Sequence, residues 1–577
     1  MYDEDEDEDK AEQEGKKIEL TDLQKDLDKE ILQTEKKTLN CLIFTINFKI
    51  LIIIISIISI IVVISIIITL IFVFKDNKKC EIGNNEKCSV CEENANRCSE
   101  CNPNYGLFDG ICYPYGSLEG IYMAQNLNEN ISLINQKYIE YIKEINVDNK
   151  KIDIKSYYIF ESPGNHTIKM ALDISKLDSL NQMFQDIKDI TSISLKSKTN
   201  RIKSMQYMFS SCYNLISVDL SNFDTSNVEN FAGLFSNCIE LKEINLKNIN
   251  TKKVKNMNQL FKRCTHLENI DISNFNTENL ENMGEMFGDC LSLTSLNLSN
   301  FNTNKVTNMS YLFNECFKLP ILDLSNFNTE KVIYYENMFF SCLALTSLDI
   351  SNFNTKNMQN MNLMFYSCKG LTHLDLSHFD LSNTISMEKT FFNCYNLKTI
   401  KFPNTKTPKL NTLYSTFKNC YALTSIELNN FDTSNVNTME ETFMGCSSLT
   451  FINMSFLDTS QVTNMDSIFS QCTSLLSIDL SKINTEKVIN INNMFTDCKN
   501  LTSIDLSMFN VNSLKYYDEI FFNCNNLTYI DISCFNNTFD FSLMFDKNIP
   551  SHGNIRVNDE KSKEKISEIL SKWNISV

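Results

Sequence analysis

Cysteine recurs every 26 residues, thirteen times in succession, at Cys212, Cys238, Cys264, Cys290, Cys316, Cys342, Cys368, Cys394, Cys420, Cys446, Cys472, Cys498 and Cys524. Phenylalanine stands three residues before every one of them, from Phe209 to Phe521, and leucine three residues after, from Leu215 to Leu527. A fixed period of this size is the mark of a solenoid, in which each coil buries its apolar face against the next coil.

With the cysteine as position zero, apolar residues fall at plus 3, plus 6 and plus 8, as in Leu293, Leu296 and Leu298. The alternation around them, as in Ser-Leu-Asp-Ile-Ser at 347–351, predicts a short strand with one buried face. Stacked coils would pair these strands in parallel. The rest of the coil must return through turns and a short helical or 3₁₀ piece around the methionine at plus 19 and the phenylalanine at plus 23, four residues apart on one helical face.

The runs CLSLTSLNLSNFNTNKVTNMSYLF (290–313) and CSSLTFINMSFLDTSQVTNMDSIF (446–469) resemble the BspA-type leucine-rich repeats of surface proteins, and the resemblance covers residues 165–577. It implies a leucine-rich-repeat-like solenoid with one parallel β-strand per coil, displayed on a cell surface and associated with adhesion. Residues 184–195 repeat the phase one coil early, with Ile187 in place of cysteine, whereas Phe545 falls out of step after Cys524. In the tail 558–574, Ile566, Ile569, Leu570 and Trp573 lie at helical spacing and predict a capping helix.

Residues 50–74 carry no charge over 25 positions, long enough to span a bilayer as an uncleaved signal-anchor. Lysines flank both sides, with Lys36, Lys37 and Lys49 before and Lys75, Lys78, Lys79 and Lys87 after, so charge alone does not orient the span. The expected organisation is an acidic cytoplasmic tail (1–49), the transmembrane helix (50–74), a small disulfide-rich module (75–115), a linker (116–164), the solenoid (165–547) and a C-terminal cap (548–577). The repeats are expected outside the cell, at the plasma membrane.

The module holds Cys80, Cys88, Cys91, Cys98, Cys101 and Cys112 and resembles EGF-like or furin-like cysteine-rich units, which implies disulfides. Two C-x2-C pairs six residues apart leave a zinc reading open, with two cysteines to spare. Asn-x-Ser/Thr triplets start at Asn130, Asn165, Asn297, Asn308, Asn453, Asn500, Asn526, Asn536 and Asn574, all beyond the span, and are candidate glycosylation sites.

Ladder spacing of about 4.8 Å would bring successive repeat cysteines within disulfide range. Parallel side chains flanked by Phe and Leu are nonetheless expected to be small, buried and reduced. The candidate ligand face is the row at plus 7, on the side of the strand away from the core: Asp219, Asp271, Asp323, Asp349, Asp375, Glu427, Asp479, Asp505 and Asp531. Asn245, Asn297 and Asn453 interrupt it and Lys401 reverses its sign. In-register carboxylates repel one another, so the row reads as a surface for a basic partner or as a solubilising face. Lys401, Pro403 and Pro408 mark one irregular coil.

A net charge of −18 excludes nucleic acid as a partner, because phosphate contact needs basic surface. No nucleophile–base pair, phosphate loop or zinc-protease motif appears, so no enzyme activity, catalytic residue, metal or cofactor is expected. The expected partners are an extracellular protein or glycan and, through residues 50–74, the lipid bilayer. The alternatives are a structural surface coat, or a receptor that signals through its short tail.

Overall fold

The structure is a computed structural model. It describes residues 116–577 apart from 198, 199 and 547, and the backbone of four short strands between residues 88 and 113. The acidic tail and the apolar segment 50–74 lie outside the described residues. Among the described residues no helix is long and apolar enough to cross a membrane.

The short strands form two antiparallel hairpins. β1 (Cys88–Cys91) pairs with β2 (Cys98–Cys101), which sets Cys88 opposite Cys101 and Cys91 opposite Cys98 in the backbone register. β3 (Gly106–Phe108) pairs with β4 (Ile111–Tyr113), with Cys112 opposite Leu107. The side chains of the six module cysteines are outside the described residues, so neither disulfides nor zinc is shown there.

Residues 116–164, expected as a linker, are folded. β5 (Gly116–Ala124), β6 (Glu129–Ser132), β7 (Ile142–Val147), β8 (Lys150–Ile152), β9 (Tyr157–Phe160) and β10 (Gly164–Leu172) make antiparallel pairs β5–β10, β10–β7, β7–β8 and β6–β9. The alternation of Leu118, Gly120, Tyr122 and Ala124 buries one face of β5, and the Tyr122 hydroxyl donates to the Leu133 carbonyl at 2.7 Å. The other edge of β5 pairs antiparallel with β11 (Ile190–Ser197), the strand of the first coil. β11 then pairs parallel with β12 (Ser217–Phe223), and β12 with β13 (Glu243–Asn245), giving the sheet order β13-β12-β11-β5-β10-β7-β8. The antiparallel unit therefore covers an edge strand that the repeats alone would leave open.

Beyond β13 the coils pair through strands of three residues, shorter than the five-residue alternation suggests. Ile321–Asp323 pairs with Ser347–Asp349, and His373–Asp375 with Thr399–Lys401. The return segment is not helical. Positions minus 5 and minus 1 of each coil are left-handed, for example Tyr311 (φ 55) and Glu315 (φ 55), or Leu363 (φ 57) and Ser367 (φ 55). These are two tight turns in place of one helical turn. Between coils they are held by a ladder in which the N–H groups at minus 7, minus 5, minus 3 and minus 1 donate to carbonyls of the next coil. In one coil the bonds run from Met309 to Tyr334, Tyr311 to Glu336, Phe313 to Met338 and Glu315 to Phe340, at 2.7–3.0 Å. That lattice offsets the 1–2 kcal/mol or so by which a non-glycine residue disfavours the left-handed region.

Three stacked columns run through the core. The minus 3 phenylalanines form a continuous stack of near-parallel rings from Phe184 through Phe521 to Phe545, with centroids 5.4–6.2 Å apart. Phe545 is out of step in sequence yet in step in space, 5.4 Å from Phe521.

The cysteines make the second column. All thirteen are buried and free, and each Sγ donates to the carbonyl of the minus 3 phenylalanine of the preceding coil at 3.0–3.3 Å. Burial pushes the thiols up, those of Cys290, Cys342, Cys394 and Cys472 to about 12.

The third column is threonine at plus 13. In ten coils its Oγ1 donates to the backbone carbonyl at plus 12 of the next coil, at 2.8–3.2 Å. In nine of these the same oxygen accepts the N–H of that residue. Leu381 takes the place of threonine in the coil just before the irregular one that holds Pro403 and Pro408.

The array ends in parallel strands without the 26-residue period: Tyr529–Asp531, Asn554–Arg556 and Asn574–Ser576. Helix α1 (Glu560–Ile569) lies between the last two. Asp559 caps it by accepting from the Ser562 N–H at 2.8 Å, and Ile566, Leu570 and Trp573 bury against the final coil while Ile569 stays half exposed.

Candidate ligand-binding face

The exposed side of the short strands is formed by positions plus 4, plus 5 and plus 7. Parallel pairing sets the plus 7 residues in register. Asp323 lies beside Asp349, Asp375 beside Lys401, Asn453 beside Asp479, and Asp505 beside Asp531.

The structure gives these residues a second role that their repulsion alone does not suggest. The Oδ1 atom of the plus 7 residue accepts the backbone N–H two residues on, closing the turn that ends the strand. Ser325 donates to Asp323, Ser351 to Asp349, Ser377 to Asp375 and Ser507 to Asp505, at 2.8–3.0 Å. Asparagine carries the same Oδ1, so Ser299 donates to Asn297 and Ser455 to Asn453 in the same way. An acceptor one carbon from the backbone is what the turn needs, which explains why Asp and Asn alternate in the row. The hydroxyl and the N–H of the following serine hold Asp271, Asp323 and Asp479 below the usual carboxylate range. Asp375 is drawn down to about 2 by Ser377, with Lys401 adding an ion pair at 3.0 Å. The lysine at 401 thus neutralises part of the row rather than interrupting it alone.

One member departs from the expected exposure. Asp531 is buried at 3 %, covered by the Asn554–Arg556 strand and paired with Arg556 at 3.7 Å. Asp271, Asp323, Asp349, Asp375, Glu427 and Asp505 are exposed, and Asp219 and Asp479 are half-buried.

At the N-terminal end this face runs into an open groove of about 1020 Å³. Its walls include Glu119 of β5, Thr167 of β10, Asp219 of β12, Glu243 of β13 and Asp271. Two members of the predicted row therefore line it, beside two carboxylates outside the row. The groove arises where the antiparallel unit meets the first coils, a junction with no signature in the repeat.

Of the candidate glycosylation residues, Asn130, Asn165, Asn297, Asn500, Asn526, Asn536 and Asn574 are exposed, and Asn308 and Asn453 are half-buried. The latter two use Oδ1 to accept from Ser310 and Ser455. Among the described residues no group of three His, Cys, Asp or Glu side chains is arranged to hold a metal ion.

Residues 117–233 match the BspA type leucine rich repeat region (6 copies). Among solved structures, the chain is similar to the functional domain of InlJ from Listeria monocytogenes, which includes a cysteine ladder. The identity is 11 %, with 75 % of this chain and 83 % of that chain covered and a TM-score of 0.14. No curated protein matches the chain. Residues 178–295, 292–404 and 411–535, together more than half of the chain, match one further family. The chain belongs to that family, described as Mycoplasma protein of unknown function, DUF285.

Proposed function

We propose that the chain is a single-pass cell-surface protein that binds an extracellular protein or glycan through the exposed strand face of its solenoid, in adhesion or recognition. The observation that carries this reading is the in-register, solvent-facing row at plus 7 running into a groove whose lining includes four carboxylates and two lysines, Lys242 and Lys247. In Asp271, Asp323, Asp349 and Asp505 the turn takes up Oδ1 alone and the exposed side chain presents its second oxygen along the face, whereas Oδ2 of Asp375 pairs with Lys401 and that of Asp531 with Arg556. Such a surface suits a partner with repeated cationic or hydroxyl groups. The segment 50–74 serves as the anchor, with residues 1–49 inside, the cysteine module 75–115 as a disulfide-stapled stalk and the repeats outside.

Binding of the purified chain to host cells or matrix is the test, with Asp323, Asp349 and Asp375 each changed to lysine. These residues are exposed, so core packing is untouched, and the same positions changed to asparagine, which keeps the turn acceptor, control for loss of the turn. Loss of binding that deepens at low salt, where the reversed charges are screened least, supports the reading; full binding at low salt refutes the row as the site. Protease shaving of intact cells tests the topology, and protection of the repeats would place them inside and refute it.

A further inference from the structure

A run of single-residue bridges at minus 8 links successive coils from Ser179 to Tyr516, and among the described residues it is interrupted once, between Tyr334 and Asn360. Elsewhere two bonds flank each bridge, except at Ser386–Thr412, where only the minus 9 bond forms. The minus 9 N–H donates to the preceding coil, as Ile333 does to Thr307 and Ile385 to Gln359; the minus 7 N–H donates to the following coil, as Met309 does to Tyr334 and Met361 to Ser386. At the interruption neither forms. The Gln359 N–H does not reach the Ile333 carbonyl, and the Tyr335 N–H does not reach the Asn360 carbonyl.

The sequence supplies the reason. Asn308 and Asn360 occupy minus 8 and accept the N–H two residues on through Oδ1 at 2.9 Å, and Tyr334 has no such acceptor. Tyr335 stands at minus 7, where Met309 and Met361 stand in the neighbouring coils. Its ring is fully buried, and its hydroxyl donates to the carbonyls of Thr329 and Asn354 at 3.3 and 3.2 Å. The bulkier, tethered ring marks a break confined to minus 8, since Phe339 still donates to Met364 at 3.0 Å and stacks on Phe365 at 5.5 Å.

A crevice of about 220 Å³ opens at this point. Its walls are Ile333, Tyr334, Glu336, Gln359, Asn360 and Ile385. Three of these are apolar and well exposed: Ile333 at 37 %, Tyr334 at 51 % and Ile385 at 40 %. The crevice therefore offers the backbone N–H of Gln359, the backbone carbonyls of Ile333 and Asn360, an apolar wall on either side and an aromatic ring at the mouth. At about 30 Å³ per water, its volume equals roughly seven waters, too small for a drug-sized ligand and enough for one compact group.

We propose that this crevice is a binding site for an acetamido group, and that its ligand is an N-acetylhexosamine residue of a glycan. An amide fits the broken Gln359–Ile333 pair, donating to the Ile333 carbonyl while accepting from the Gln359 N–H. Its methyl fits between Ile333 and Ile385, which a carboxamide side chain of a protein would leave unfilled. The half-exposed Tyr334 ring offers a flat apolar face to a pyranose, and the Glu336 carboxylate an acceptor for a sugar hydroxyl. The site lies on the return segment, not on the strand face, so it stands or falls independently of the plus 7 row.

Saturation-transfer NMR on the purified full chain tests this with N-acetylglucosamine, glucosamine, glucose and acetamide. The expected result is millimolar binding of N-acetylglucosamine with the strongest saturation on the acetyl methyl, weaker binding of acetamide, and none of glucosamine or glucose. The double variant Tyr334→Asn with Tyr335→Met installs the residues of the preceding coil, closes the ladder and abolishes the saturation while the thermal midpoint holds or rises. Should that variant fold poorly, Ile385→Lys alters only an exposed wall and must also abolish it. Equal signals from glucose, an unchanged acetyl signal in either folded variant, or no signal from the wild-type chain would overturn the proposal. Asp323→Lys must leave the signal unchanged, which separates this site from the strand face.

Discussion

Replacing Thr303 by valine isolates the contribution of the threonine column. Valine has nearly the same shape, so packing in this fully enclosed position is retained. The hydroxyl is lost, and with it two bonds to one residue of the next coil. Thr303 Oγ1 donates to the Asn328 carbonyl and accepts the Asn328 N–H, both at 2.8 Å. A net value of about 0.5–1.5 kcal/mol per bond gives a loss of about 1–3 kcal/mol. Thr303→Ser is the matched control, since it keeps both bonds and loses one methyl, about 0.8 kcal/mol. In a solenoid each coil touches only its neighbours, so the effect should stay at one junction. Hydrogen exchange resolved by residue is therefore a better assay than a single melting point, which assumes a two-state chain. The Asn328 amide should exchange roughly 5- to 150-fold faster in Thr303→Val, with amides three coils away unchanged. If serine destabilises more than valine, or the Asn328 amide exchanges at the wild-type rate, the column is packing alone and the reasoning fails.

Other outcomes follow from the remaining columns and from the strand face. Phe313 stacks on Phe287 and Phe339 at 6.0 and 5.8 Å, so Phe313→Ala should cost about 3–5 kcal/mol in urea unfolding. The repeat thiols, raised to about 12 at Cys342 and Cys394, should resist iodoacetamide at neutral pH and react only on unfolding; mass spectrometry that finds them alkylated in the native chain, or bonded to one another, contradicts the free column. Asp375 titrates at about 2 when folded, below the ordinary value of about 3.9. Its contribution to stability is thus present above the ordinary value and is lost as pH falls toward 2. Asp375→Asn keeps the turn acceptor and should flatten that part of the acid denaturation curve, whereas Asp375→Ala should lower stability at neutral pH as well.

The core was legible because the residues that build it are invariant across coils. Phe and Leu around each cysteine announce a column, and the capping helix is announced by Asp559 and the spacing of Ile566, Leu570 and Trp573. The turn conformation was not legible. Left-handed residues usually advertise themselves as glycine, yet here Tyr207, Gln259, Glu285, Leu363 and Lys389 take φ near 55, because inter-coil hydrogen bonds rather than local preference decide it. The folded unit at 116–164 was hidden for another reason. In β5 two of the inward positions are Gly116 and Gly120, which weakens the alternation. A side chain at Gly116 would strike Ile174 Cδ1 at 2.0 Å, so the glycine is demanded by packing that only the fold reveals. The plus 7 row was found as a pattern, while its dependence on Ser325, Ser351 and Ser377 needed the turn geometry. The crevice at Tyr334 sits where two residues depart from their rows, a signal visible in the repeat once the bridge series gives those positions a meaning.

The inter-coil bonds at minus 7, minus 5, minus 3 and minus 1 all run in one direction, each N–H facing the next coil. Bonds elsewhere in the coil, such as Thr346 to Pro320 and Ile333 to Thr307, run the other way. In the stretch from minus 7 to minus 1 the peptide dipoles therefore add along the stacking direction, leaving partial negative charge on that edge of the first coil and partial positive charge on that edge of the last. The final donors at Glu519 and Phe521 find the carbonyls of Leu543 and Met544, in a segment bracketed by Asp540 and Asp546, whose charges oppose the positive end. Two such edges laid head to tail would be electrostatically matched, whereas the same ends brought face to face would repel.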